Sequence, residues 1–146
     1  MRKLIVYGAV AIVAIGGVAA VADALVVTDE ERLESFADSF AGEVSTRRID
    51  HALGYFDPDR EAVSVSSYDD QWEFASGEGA DLATEVRAIL RDFQGEDVDM
   101  LQRSITHDDQ DARVALRLRN SEGVFDATFD LRKHGERWLV RRARVR

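Results

Sequence analysis

The chain has 146 residues, no Cys, one Pro and a formal net charge of −9. Without Cys there is no disulfide and no thiolate metal site, and the acidic balance argues against general nucleic-acid binding, because phosphate is repelled. Residues 28–146 are long enough for one domain with a single core, and neither repeats nor Pro-rich tracts suggest disorder.

Leu4 to Ala22 is an uncharged apolar run, behind Arg2 and Lys3 and ahead of the charge-rich Thr28-Asp-Glu-Glu-Arg. As a helix it would measure roughly 29 Å, about one bilayer core. Leu25, Val26 and Val27 carry the apolar character past Asp23. We read residues 1–27 as an uncleaved transmembrane anchor, with Arg2 and Lys3 kept in the cytoplasm. The alternative is a signal cleaved at Ala20-Val21-Ala22 or Ala22-Asp23-Ala24, which would leave a secreted or periplasmic domain. Both readings place residues 28–146 outside the cytoplasm.

Thr28 and Glu31 form a capping box, and Leu33, Phe36, Ala37, Phe40 and Ala41 make one apolar stripe on the helix that follows. Thr46 starts a second helix with Ile49, Ala52, Leu53 and Phe56 toward the core, ended by Asp57-Pro58-Asp59. Ala62 to Tyr68 reads as a strand, and Asp69 to Phe74 has no clear pattern. Asp81 is the expected cap of a third helix carrying Leu82, Val86, Ile89, Leu90 and Phe93, with Gly95 as its stop.

The rest is predicted sheet: strands over 97–106, 112–119, 124–132 and 137–145. In the hairpin joining 112–119 to 124–132, Arg119 opposite Val124 sets Arg117 against Asp126 and Arg113 against Asp130. The same register sets Leu116 against Ala127 and Val114 against Phe129. Charge and apolar pairing thus select one register independently. In the last hairpin a two-residue loop within Lys133-His-Gly-Glu136 predicts Leu131 opposite Trp138, Phe129 opposite Val140 and Ala127 opposite Arg142. Arg142 would then continue the core face into a cavity mouth, unless strand twist or a bulge turns it out to solvent.

Helix, short helix, strand, helix and an antiparallel meander resembles the nuclear transport factor 2-like superfamily, including its SnoaL-like and ketosteroid-isomerase-like branches. The residues that carry the likeness are Tyr55-Phe-Asp-Pro-Asp59 and Gly135-Glu-Arg-Trp138-Leu-Val140. The resemblance implies an α+β fold: a curved antiparallel sheet wrapped round three helices as a cone, behind the membrane helix. It also implies that a homodimer is one mode of assembly, and it spans both enzymes and non-catalytic binding domains. A membrane helix ahead of such a domain is also similar to type IV secretion inner-membrane components and to membrane proteins associated with mammalian-cell-entry transporters, where the domain is an assembly part.

Enzymes of that resemblance place carboxylates with Tyr or His inside the cone, so Tyr55, Tyr68, Asp69, Asp70 and Arg142 are weighed at its mouth. Asp69-Asp70 reads better as a surface turn, and His51 with Tyr55 as a solvated pair. His107 to Asp111 has ligand-type residues without calcium-loop spacing and reads as an acidic turn. His134-Gly135 reads as a turn flanked by a Lys133–Glu136 pair. No motif calls for a metal or a cofactor. The ligand-pocket candidates are Tyr55, Tyr68, Phe125, Phe129, Trp138 and Arg142, though regular aromatics usually form ordinary core. The basic stretch 132–146, with seven Lys and Arg and one Glu, could meet an anionic lipid head or an acidic partner. The preferred reading sets its arginines against acidic neighbours on the sheet. The expected function is a membrane-anchored, extracytoplasmic binding or assembly domain without catalysis. Its expected partners are the membrane through Leu4–Val27 and a second copy or membrane-complex protein, not nucleic acid. The alternative is an acid–base enzyme acting on a small apolar ligand.

Overall fold

The computed structural model describes residues 27–146. The expected membrane span therefore lies outside the described residues, apart from Val27. Among the described residues no helix is long and apolar enough to cross a membrane.

The described residues form the three expected helices and seven strands, two of which, at Gly42–Glu43 and Asp70–Phe74, the sequence pattern does not show. Helix α1 is Asp29–Asp38, β1 is Gly42–Glu43, α2 is Thr46–Leu53, β2 is Val63–Ser67 and β3 is Asp70–Phe74. Helix α3, Gly79–Leu90, runs into a 3-10 turn at Arg91–Phe93. Strands β4 Asp97–His107, β5 Asp111–Asn120, β6 Gly123–His134 and β7 Arg137–Val145 complete the chain. The strands form one sheet in the order β1-β4-β5-β6-β7-β2-β3.

The capping box forms: the Glu31 amide donates to Thr28 Oγ1, and the Glu31 carboxylate accepts from the Thr28 amide. It satisfies two donors left open by the first turn of α1. The apolar stripe then turns Leu33, Phe36, Ala37 and Phe40 onto the inner face of the sheet, each fully buried. Phe129 of β6 meets Phe36 edge-on at 5.2 Å and Phe40 at 4.6 Å between ring centres. Val114, Leu116, Leu118, Leu131, Val140, Ala143 and Val145 continue this core across β5, β6 and β7. Among the described residues this core is apolar, and Phe129 is part of it. Phe125 is half-buried and packs at the core's edge.

The β5–β6 register is the expected one at every pair: Arg117 faces Asp126, Arg113 faces Asp130, and Val114 faces Phe129. The last hairpin is not. Its loop is Gly135-Glu136, with Gly135 at φ 63° and His134 opposite Arg137. A glycine takes that left-handed conformation without a Cβ penalty, so the chain turns one residue later than expected. Leu131 consequently meets Val140, and Trp138 meets Lys133. A bulge between Asp130 and Leu131 then reverses the alternation of β7. Ala143 and Val145 point inward, and Arg142 stands opposite Asp130 on the outer face.

Three further expectations are corrected. The sheet is mixed, because β2 runs parallel to β7 with Val65 beside Ala143. Asp81 lies in the first turn of α3, whose N-cap position is Glu78, without a side-chain cap bond. The Glu78 carboxylate instead accepts from the Ala75 amide. Lys133 and Glu136 do not pair with each other: Lys133 reaches Asp29, and Glu136 reaches Arg32.

Candidate functional site

An open cleft of about 340 Å³ lies between α1, the end of α2 and the β6–β7 turn. Tyr55 and Trp138 form its walls, Val27 lies at its edge, and Arg32, His51, Glu136 and Arg137 reach it. Two of the six pocket candidates, Tyr55 and Trp138, are therefore brought together.

Tyr55 is set by the end of α2. Its carbonyl accepts from the Val140 amide at 2.9 Å, which fastens the segment after the helix to β7. Its ring packs edge-on against Phe36 at 4.9 Å and against His51 at 5.8 Å. The expected His51–Tyr55 pair is thus a ring contact, with Tyr55 part of the core margin. Burial pushes the Tyr55 phenol above its ordinary pKa, so it stays protonated well past neutrality.

Trp138 is held from its polar edge. Its Nε1 donates to Asp29 Oδ1 at 3.3 Å, while Lys133 Nζ sits 5.9 Å from the ring centre. Asp29 also accepts from Lys133 at 2.5 Å and from Arg32 at 3.3 Å. The Lys133 bond is the main reason the Asp29 carboxyl is held below the usual carboxylate range; partial burial opposes it, and Trp138 and Arg32 add to it. Asp29 thus joins the first turn of α1 to the cleft wall, a role its sequence position shows only as a first-turn acid. Arg137 closes the other side by donating to the Gly54 carbonyl at 2.9 Å.

The remaining candidates lie elsewhere. Tyr68 is at the tip of the β2–β3 hairpin, with φ 38° and 61% exposure. Asp69 belongs to the same turn, and Asp70 opens β3. Phe125 and Phe129 pack as described above. Arg142 lies over Asp130 at 3.9 Å, on the opposite side of the sheet from the core. The loop at His107–Asp111 closes on itself: Asp108 accepts from the Gln110 and Asp111 amides. These bonds hold its carboxyl below the usual range. No group of three or more potential metal ligands occurs among the described residues.

The cleft presents an apolar aromatic floor with a mixed-charge rim. Such a surface can hold an apolar side chain or small molecule and orient a polar end toward Arg32 or Arg137. Among the described residues the carboxylate on its rim is Glu136, which is 87% exposed and paired to Arg32.

No protein-family model matches the chain, and no curated protein matches it. Two solved structures are similar along most of their length. One is a candidate ketosteroid isomerase from Parabacteroides distasonis: TM-score 0.60, 15% identity, 85% of this chain and 91% of that one covered. The other is a protein of unknown function with a cystatin-like fold from Nostoc punctiforme: TM-score 0.57, 16% identity, 80% of this chain and 89% of that one covered. At such identities the likeness concerns the fold alone: the chain shares the fold of these two proteins, in keeping with the resemblance read from the sequence.

Proposed function

We propose that the protein is a membrane-anchored, extracytoplasmic binding or assembly domain that works without catalysis. It takes a small apolar ligand, or an apolar side chain of a partner, in the Tyr55–Trp138 cleft. The observation that carries this reading is the position of Val27. The last residue of the apolar N-terminal stretch borders the cleft and is 48% exposed. An anchor over Leu4–Val27 would therefore set the cleft at the membrane face.

The apolar core supports binding over acid–base chemistry. A ketosteroid-isomerase-type reaction needs a carboxylate converging with Tyr or His inside the cone. Here the buried core around Phe36, Phe40 and Phe129 is apolar, and the buried carboxylate of Asp130 faces outward into arginines.

Alkaline carbonate extraction of bacterial host membranes, followed by protease treatment of intact spheroplasts, tests the reading. A C-terminal epitope should stay in the membrane pellet and be digested from outside. A carbonate-soluble chain, or an epitope protected in intact spheroplasts, contradicts it.

A further inference from the structure

On the outer face of β5, β6 and β7, five guanidinium groups share two carboxylates. Asp130, 6% exposed, takes Arg113 Nε at 2.7 Å, Arg144 Nη2 at 2.9 Å and Arg142 Nη1 at 3.9 Å. Asp111 takes Arg132 Nε at 3.4 Å and Arg141 Nη1 at 3.5 Å. The bulge in β7 creates this surplus, because it brings Arg142 onto the outer face immediately after Arg141. Burial raises the Asp130 pKa, but hydrogen bonds and charge from Arg113 and Arg144 outweigh it, so the carboxylate stays ionised. It anchors the forks without neutralising them. Arg141 and Arg142 make only the longer ion pairs, and the buried Nε of Arg144 has no acceptor among the described residues.

We propose that this face is a docking surface for an acidic peptide segment of a partner protein. Two observations choose the occupant. Residues 29–131 hold 26 Asp and Glu against 10 Lys and Arg, so an acidic partner is repelled by most of the domain and directed to this patch. The cationic side chains of the patch are all arginine, whose planar fork matches a carboxylate in two-point contact. An open groove of about 360 Å³ runs beside Arg113 and Arg141, with Asp108, Asp111 and Asp130 also on its lining, so an acidic side chain would meet the arginine forks at its edge rather than enter it. A continuous anionic bilayer fits less well. Exposed Asp109 on the adjoining turn, and exposed Asp126 and Glu73 on the same face, would meet it at the same time. An extended peptide can place its acids between them.

The test uses the full chain in non-ionic detergent, with a fluorescein-labelled oligoglutamate peptide as probe, read by fluorescence anisotropy. Binding at low salt should weaken about tenfold or more in Arg141→Gln/Arg142→Gln and partly in Arg142→Lys, which keeps charge but loses the fork. Arg87→Gln, which removes an arginine paired to Asp50 elsewhere, should bind as the wild type does. All these positions are exposed or half-exposed, and thermal unfolding confirms that each variant is folded. Absence of peptide binding, or equal loss in Arg87→Gln, overturns the proposal. Capture by phosphatidylglycerol vesicles without peptide binding overturns it in favour of a lipid surface. Self-association abolished by the double substitution, without peptide binding, overturns it in favour of a second copy.

Discussion

Lys133 Nζ lies 2.5 Å from Asp29 Oδ2, joining the first turn of α1 to the end of β6 across 104 residues of chain. Outside the N-terminal run Lys133 is the domain's single lysine, and it meets the carboxylate that also holds Trp138. The Asp29 carboxyl titrates below its ordinary range when folded, so its contribution is present at neutral pH. It is lost as pH falls through the lowered value. Lys133→Met should therefore lower the urea midpoint at pH 7, and the gap to wild type should close below about pH 4. An unchanged gap at pH 3 contradicts this role for the pair.

Arg117 and Asp126 face each other with 3.9 Å between charged atoms, both more than half exposed. Arg117→Asp sets two acids opposite each other, and Asp126→Arg added to it restores opposite charges. The double-mutant cycle should give a coupling of about 0.5 kcal/mol, small because water screens the pair. Zero coupling would leave the register resting on its apolar face alone.

Phe129 touches Phe36 and Phe40 and is fully buried. Phe129→Ala should cost about 4 kcal/mol by denaturant unfolding, because it removes the ring and leaves a cavity between helix and sheet. A loss below about 1 kcal/mol would mean that the interior is not close-packed.

Tyr68 has φ 38° at an exposed hairpin tip. A side chain in that conformation crowds the backbone, which glycine avoids. Tyr68→Gly should stabilise the domain by about 0.5 kcal/mol, after the larger unfolded-state entropy of glycine is subtracted. Destabilisation would show that the Tyr68 ring makes a contact the turn depends on.

Where local alternation and charge agree, the sequence determines the structure: the β5–β6 register follows from both faces of two strands. The β6–β7 register is not legible in this way. Lys133-His-Gly-Glu136 accommodates more than one two-residue loop, and the bulge at Asp130/Leu131 follows from packing Ala143 and Val145 inside while Arg142 meets Asp130. Strand β3 shows no clean period because it pairs with β2 alone and is half-exposed on its inner face. The parallel β2–β7 contact joins segments distant in sequence and leaves no local mark. The cleft is partly legible, since Tyr55 and Trp138 stand out as aromatics beside turn signals. Asp29 does not stand out, because its partners Lys133 and Trp138 are known only once α1 is laid against the last hairpin.

The most direct measurement is the N-terminal sequence of the chain isolated from the membrane fraction, read by mass spectrometry of its first peptide. That peptide should retain Arg2, Lys3 and the apolar run that follows. A mature chain beginning at Asp23 or Leu25 would contradict the anchor and release the cleft from the membrane face.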